Sequence, residues 1–250
     1  MSSRRGAFTL LEILVTIAII GVLVSLVLPI ARSTVASARG FKCQMSQRSS
    51  AYDFNVFADD VYHGDRGRDS ANHLRFQLDT FVSSQYCLEE FWCWEGQTRH
   101  DLPDNDKNDP LRCPEVKGTI STFRNAPCQG GGVGPWQNVS FGFNFRLKIA
   151  ERPPPQSGVV TVRLQSAITS ESGVPLLWDV DGVAASSRQS PPFFSAPSLG
   201  TTGVFGDDRF WFPAMRHNGG LNVGFVDGHV ESSGRPLQEA GWRWGFSPVP

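Results

Sequence analysis

Charge is scarce in this chain of 250 residues, and neither sign prevails. Charged residues make up 19% and the net charge is −1, so no basic surface points to nucleic acid as a partner. Cysteine is sparse. The five residues at 43, 87, 93, 113 and 128 form an odd, sparse set with no Cys-x-x-Cys pair, so they do not read as a zinc framework. There is no Gly-x-Ser-x-Gly, no phosphate-binding glycine loop after a recognisable strand and no internal repeat. With 25 Gly and 17 Pro, the composition favours strands and loops over a helical bundle.

Long apolar runs are also few, and the one present is informative. Nineteen uncharged residues run from Ile13 to Ala31. Phe8–Ala31 spans 24 residues, or about 36 Å of helix against a bilayer core of about 30 Å. Arg4 and Arg5 precede the run, placing the N-terminus in the cytoplasm by the positive-inside rule. Glu12 lies near its start, and a carboxylate at the centre of a membrane helix costs about 2.5–3.5 kcal/mol on insertion scales. A plain anchor has no use for it, so Glu12 points to a partner. An ordinary secretory signal would have Ala36-Ser37-Ala38 as its cleavage site, but its apolar region should be about 7–15 residues. Pro29 predicts a kink near Ser25–Pro29.

The stretch Arg4-Arg5-Gly6-Ala7-Phe8-Thr9-Leu10-Leu11-Glu12 resembles the N-terminus of type IV pilins and of type II secretion pseudopilins. The resemblance implies cleavage by a prepilin peptidase between Ala7 and Phe8, followed by N-methylation of Phe8. Glu12 then becomes the fifth residue and neutralises the free amine of a neighbouring subunit; Pro29 matches the family's helix-kinking proline. The family's residue before the cut is usually Gly, whereas here Ala7 separates Gly6 from Phe8. Cleavage after Ala7 keeps the Phe–Glu spacing and is the expected cut; cleavage after Gly6 keeps the Gly.

The expected organisation is a leader over 1–7, a membrane and amphipathic helix over 8–50, and a body over 51–250. In the body, Leu74, Leu78, Phe81 and Val82 predict a helix near 70–88, with Asp69 or Ser70 as cap. Phe141, Phe143, Phe145 and Leu147 alternate as in a half-buried strand, and Val159–Leu164 and Pro175–Val180 read as further strands. Leu221, Val223 and Phe225 lead into Asp227-Gly228, predicting a hairpin over 217–233 with a two-residue type I′ turn that sets Val226 opposite His229. Asn218-Gly219-Gly220 supplies another turn. Outside the cytoplasm, Cys87–Cys93 and Cys113–Cys128 would be candidate bridges, leaving Cys43 free.

His217, followed by Asp227-Gly228, also resembles the C-terminal signature of a large pilin-like family of planctomycete-type bacteria. Arg112-Cys113-Pro114, Ser140-Phe141-Gly142-Phe143-Asn144 and Pro175-Leu176-Leu177-Trp178-Asp179 resemble short blocks there, in the same order. His217 and Asp227 do not read as a catalytic pair, because the extended residues 221–226 alone separate their ends by about 17–20 Å. Asp104, Asp106, Asn108 and Glu115 have the spacing of a calcium loop, but Asp109 replaces its turn glycine and Pro110 follows. A solvated acidic loop is the plainer reading. Asp179-x-Asp181-Gly182 and Asp207-Asp208 read as turns, and Trp242-x-Trp244 as the edge of a core.

Together these features predict an α+β, pilin-like fold: a long N-terminal transmembrane helix packed on an antiparallel sheet. The implied function is structural, not enzymatic, and without a cofactor unless calcium binds. The resemblance implies a single-pass protein of the inner membrane with a periplasmic body. Its partners would be prepilin peptidase, other pilin-like subunits, the secretion or pilus machinery and membrane lipid. The alternatives are a surface or minor pilin for adhesion or DNA uptake, or a membrane-anchored binding protein or enzyme.

Overall fold

The computed structural model describes residues 10–59, 75–86, 112–116, 139–152, 158–190, 193–200 and 203–248, and the backbone of 121–126 and 129–134. The chain divides into two compact units, residues 1–39 and 40–250.

A single helix, α1 (Leu10–Ala58), contributes to both units. Its residues 10–39 are exposed throughout, including Leu14, Ile17, Ile20, Leu23, Leu26 and Ile30. Three hydroxyls in this part are satisfied internally: Thr16 donates to the Ile13 carbonyl at 2.8 Å, Ser25 to Val22 at 2.7 Å and Thr34 to Ile30 at 2.9 Å. That is what a hydrocarbon environment requires of a polar group. The helix continues past Pro29.

From Gly40 onward α1 belongs to the body. Cys43, Gln47, Ser50, Ala51, Phe54, Phe57 and Ala58 form a buried stripe at steps of three and four residues. This stripe carries the helix to Ala58, past the boundary expected at residue 50.

The described strands are β1 (Arg75–Phe76), β2 (Ser121–Ala126), β3 (Gln129–Gly134), β4 (Phe141–Asn144), β5 (Ile149–Glu151), β6 (Val159–Thr161), β7 (Leu164–Gln165), β8 (Pro175–Asp179), β9 (Phe194–Ser195), β10 (Leu221–Phe225) and β11 (Val230–Ser233). Five of them make one sheet in the order β11-β10-β8-β4-β9. Its pairs are antiparallel except β4 with β9, which are parallel, so the sheet is dominated by antiparallel pairing, as expected, and mixed at one edge. Smaller pairs join β1 to β7, β2 to β3 and β5 to β6.

β4, β8 and β10 are buried along their whole length, because the central sheet is covered on both faces. On one face Gly224 packs against α1: an added Cβ would lie 2.9 Å from Leu177 Cδ2 and 3.5 Å from the Gln47 carbonyl oxygen. Phe143 meets Phe81 of α2 (Leu78–Tyr86) at 6.1 Å between centroids, and Phe81 meets Phe54 at 5.2 Å. On the other face Trp178 packs edge-on against Trp244 at 4.9 Å, and Trp211 meets Trp244 at 5.2 Å.

Three expected elements are revised. The helix predicted near 70–88 begins at Leu78, because Arg75–Phe76 pairs with β7; Asp69, Ser70 and Leu74 lie outside the described residues. The strand starting at Phe141 ends at Asn144, whose side chain accepts from Arg146 N–H at 3.0 Å and starts a 3-10 turn over Phe145–Leu147. Val159–Leu164 splits into β6 and β7.

The C-terminal hairpin forms, but its turn differs. Phe225 N–H donates to the His229 carbonyl at 2.9 Å and Gly228 N–H to the Phe225 carbonyl at 3.0 Å. Phe225, not Val226, therefore faces His229, and three residues make the loop, with Gly228 at φ +96°. A three-residue loop closed by a left-handed residue suits this register. The paired positive φ angles of a type I′ turn occur instead at Asn218 (+53°) and Gly219 (+78°).

Candidate metal centre

Four side chains of three chemical kinds converge inside the body. Cys43 comes from the buried stripe of α1, Cys113 from the turn at 112–116, Asp179 from the end of β8, and His217 from the entrance to the Asn218-Gly219 turn. Their ligand atoms all lie within 4.8 Å of one another.

Each is held in place by local structure. Cys113 N–H donates to Ser140 Oγ at 2.8 Å. Asp179 is aligned by the pairing of β8 with Phe141 of β4. His217 exchanges backbone hydrogen bonds with Gly220 across its tight turn, at 2.9 and 3.3 Å. That turn sends the imidazole inward, where it is 7% exposed.

The Asp179 carboxylate is wholly buried, so its charge needs compensation. It accepts from Cys43 Sγ at 3.2 Å and from Asn222 N–H at 3.3 Å. Arg216 Nη1 lies 3.4 Å from its Oδ1 and also donates to the Ser140 carbonyl at 3.2 Å, while Nη2 donates to Val180 O. His217 Nε2 stands 3.4 Å from Asp179 Oδ2 and 3.5 Å from Cys113 Sγ.

These contacts set the protonation. Burial disfavours the His217 imidazolium, but the hydrogen bonds to Asp179 and Cys113, with their charges, outweigh it and push the group up to about 10. A hydrogen bond from Cys43 lowers the Cys113 thiol to about 6 against the opposing effect of burial. The same contact, with burial and the Asp179 charge, raises Cys43 well above the ordinary thiol range. The single Cys43 proton thus has two takers, Asp179 and Cys113.

A Cys–His–Asp trio suggests nucleophilic catalysis, but its geometry here is different. A catalytic imidazole uses one nitrogen toward the nucleophile and the other toward the carboxylate. In this protein Cys113 and Asp179 both face Nε2, the carboxylate on the Nδ1 side is that of Glu115 at 3.6 Å, and Cys113 is fully buried. Two sulfurs, one imidazole nitrogen and one carboxylate oxygen converging in a closed interior are donors that could hold a metal ion.

The residues singled out from sequence separate in space. His217 joins the cluster; Asp227 sits beyond β10 in the hairpin loop, with Oδ1 at 2.5 Å from His229 Nδ1. Glu115 Oε1 lies 3.6 Å from His217 Nδ1. Asp104, Asp106, Asn108, Ala7 and Phe8 lie outside the described residues, as do Cys87, Cys93 and Cys128. Glu12 occupies the first turn of α1, where the helix dipole favours an acid. Cys43 is free, as expected; Cys113 is a free thiol too, against the bridge to Cys128. Asp181 caps the helix α3 (Gly182–Ser187), accepting from Val183 and Ala184 N–H, so it is the turn former expected of it. Its neighbour Asp179 is not: it belongs to the cluster.

Residues 2–28 match the family model described as the prokaryotic N-terminal methylation motif. The N-terminus is therefore pilin-like, and with its apolar helix it fits a single-pass membrane anchor. The matched segment contains the Ala7–Phe8 junction and Glu12 and stops short of the body. No curated protein and no solved structure matches the chain.

The sequence alone does not reveal the cluster: it presents the members separately, as a spare thiol, half of a candidate bridge, part of a turn and part of a C-terminal motif. The one available signal was that Arg112-Cys113-Pro114, Trp178-Asp179 and His217 stood out separately; the fold brings them together.

Proposed function

We propose that the chain is a pilin-like structural subunit, cut by a prepilin peptidase between Ala7 and Phe8 and methylated on Phe8. It would then join other pilin-like subunits in a type II secretion pseudopilus or a related filament. The match over residues 2–28, on a helix whose residues 10–39 are exposed throughout, carries this reading. Apolar surface is stabilised by about 25 cal/mol per Å² when removed from water. Lipid would cover this stretch before assembly, and neighbouring helices would cover it in the filament. In this scheme 1–7 is a cytoplasmic leader, Arg4 and Arg5 keep the N-terminus inside, and the body lies in the periplasm. Glu12 would pair with the amine of an adjacent Phe8.

Intact-mass and N-terminal peptide analysis of protein from its host's membranes tests the reading. A chain starting at N-methylated Phe8 supports it. A chain that retains Met1, or starts near Arg39, overturns it. Site-directed crosslinks between neighbouring copies at positions such as Leu14 and Ile20 would then report assembly, and their absence in membranes containing processed protein would count against a filament.

A further inference from the structure

We propose that Cys43, Cys113, Asp179 and His217 bind one zinc ion, as a structural site that fastens the body end of α1 to the sheet.

The donor set is the first argument. Two thiolates and an imidazole are soft or borderline ligands suited to zinc, whereas calcium and magnesium select all-oxygen sites. Four protein donors in a buried pocket leave no open position for substrate, which marks a structural site.

The spacing is the second. With Zn–S about 2.3 Å, Zn–N about 2.0–2.1 Å and Zn–O about 2.0–2.2 Å, a tetrahedral site has edges of roughly 3.5–3.6 Å for S···N, roughly 3.5–3.7 Å for S···O and roughly 3.3–3.5 Å for N···O. The structure has 3.5 Å from Cys113 Sγ to His217 Nε2, 3.2 Å from Cys43 Sγ to Asp179 Oδ1, which is shorter than such an edge and involves the other carboxylate oxygen, and 3.4 Å from His217 Nε2 to Asp179 Oδ2. The last is long for an N–H···O bond, whose usual length is about 2.9–3.0 Å.

The surroundings are the third. His217 Nδ1 is buried without a hydrogen-bond partner, and Glu115 Oε1 lies 3.6 Å from it. Metal-bound histidines commonly donate their second N–H to a carboxylate, which fixes the tautomer that leaves the ligating nitrogen bare. A small approach by Glu115 completes that arrangement. Two thiolates and a carboxylate around Zn²⁺ leave one negative charge, which Arg216 beside Asp179 balances. Binding displaces to solvent the protons held on Cys43 Sγ and on His217 Nε2.

A Cys43–Cys113 disulfide is the competing fate of the two sulfurs, and it gives Asp179 and His217 no reason to converge. The test uses full-length protein in detergent, purified without added metal and analysed by elemental mass spectrometry. One zinc per chain is expected. Chelation should lower the melting temperature, and zinc, but not calcium or magnesium, should restore it. Cobalt substitution should give the intense visible bands of a tetrahedral thiolate site. Glu115→Gln, which leaves all four ligands intact, should weaken zinc affinity by about 10–100-fold. Should His217→Ala fail to fold, the chelation and cobalt measurements on the unaltered protein decide. A mapped Cys43–Cys113 disulfide, or reduced protein that takes up neither zinc nor cobalt, overturns the proposal.

Discussion

His229 stacks on Phe225, with ring centroids 4.2 Å apart and planes 5° from parallel. The two residues face each other across the last rung of the C-terminal hairpin, so the stack fixes its register. Gly228 makes that rung possible by taking φ +96°, a conformation costly for any residue with a Cβ. Gly228→Ala is expected to destabilise the body by about 1–2 kcal/mol. Equilibrium denaturation of the protein in detergent checks this; an unchanged midpoint would refute the register argument.

Gly224 makes a different prediction, because its constraint is space. With Leu177 Cδ2 at 2.9 Å from an added Cβ, and the α1 backbone close behind, a larger side chain must push the helix or the strand aside. Gly224→Val should cost about 1–3 kcal/mol, as overpacking does. Leu177→Ala in the same chain should recover part of the loss, a coupling that a double-mutant cycle reads directly.

Trp244 is 4% exposed, packs on Trp178 and Trp211, and donates its indole N–H to the Pro236 carbonyl at 2.8 Å. Trp244→Ala should cost about 3–5 kcal/mol. Trp242 lies nearer the surface and donates to Glu231 at 2.6 Å, so Trp242→Ala should cost clearly less in the same denaturation experiment.

Asp53 carries a pH signature. Burial raises its carboxyl above the ordinary range, while the Tyr86 hydroxyl, donating at 3.4 Å, acts the other way. A carboxyl with a raised folded-state pKa is harder to ionise in the folded protein than in the unfolded chain. Its contribution to stability is therefore greatest below the unfolded pKa and declines as pH rises through the folded one. Asp53→Asn should remove that decline and leave the melting temperature at neutral pH equal or higher. A lower melting temperature at neutral pH would mean that the charged form is the stabilising one.

Much of the architecture was legible because period and length are local signals. The alternation of Leu221, Val223 and Phe225 identified β10, and the uncharged run after Glu12 identified the exposed half of α1. Turn chemistry was only partly legible. Asp227-Gly228 and Asn218-Gly219 both satisfy the preference for a type I′ turn, and only cross-strand register decides which adopts it. The length of α1 was not legible in the sequence because its apolar continuation, Ala51, Phe54, Phe57 and Ala58, is short and follows the polar Gln47 and Ser50. The candidate metal centre was hidden most completely. Its ligands are 70, 66 and 38 positions apart in sequence, and local zinc spacings have no counterpart at that range.

That separation also orders events in time. Cys43 emerges from the ribosome 136 residues ahead of Asp179, an interval of roughly 7–27 s at about 5–20 residues per second. Until β8 is made, Cys43, Phe54 and Phe57 lack the central sheet that covers them in the folded body. The growing chain therefore passes through a stage when its helix is finished and its covering is not. A thiol-labelling pulse given during synthesis would mark Cys43 then, and the same pulse after completion would find it closed.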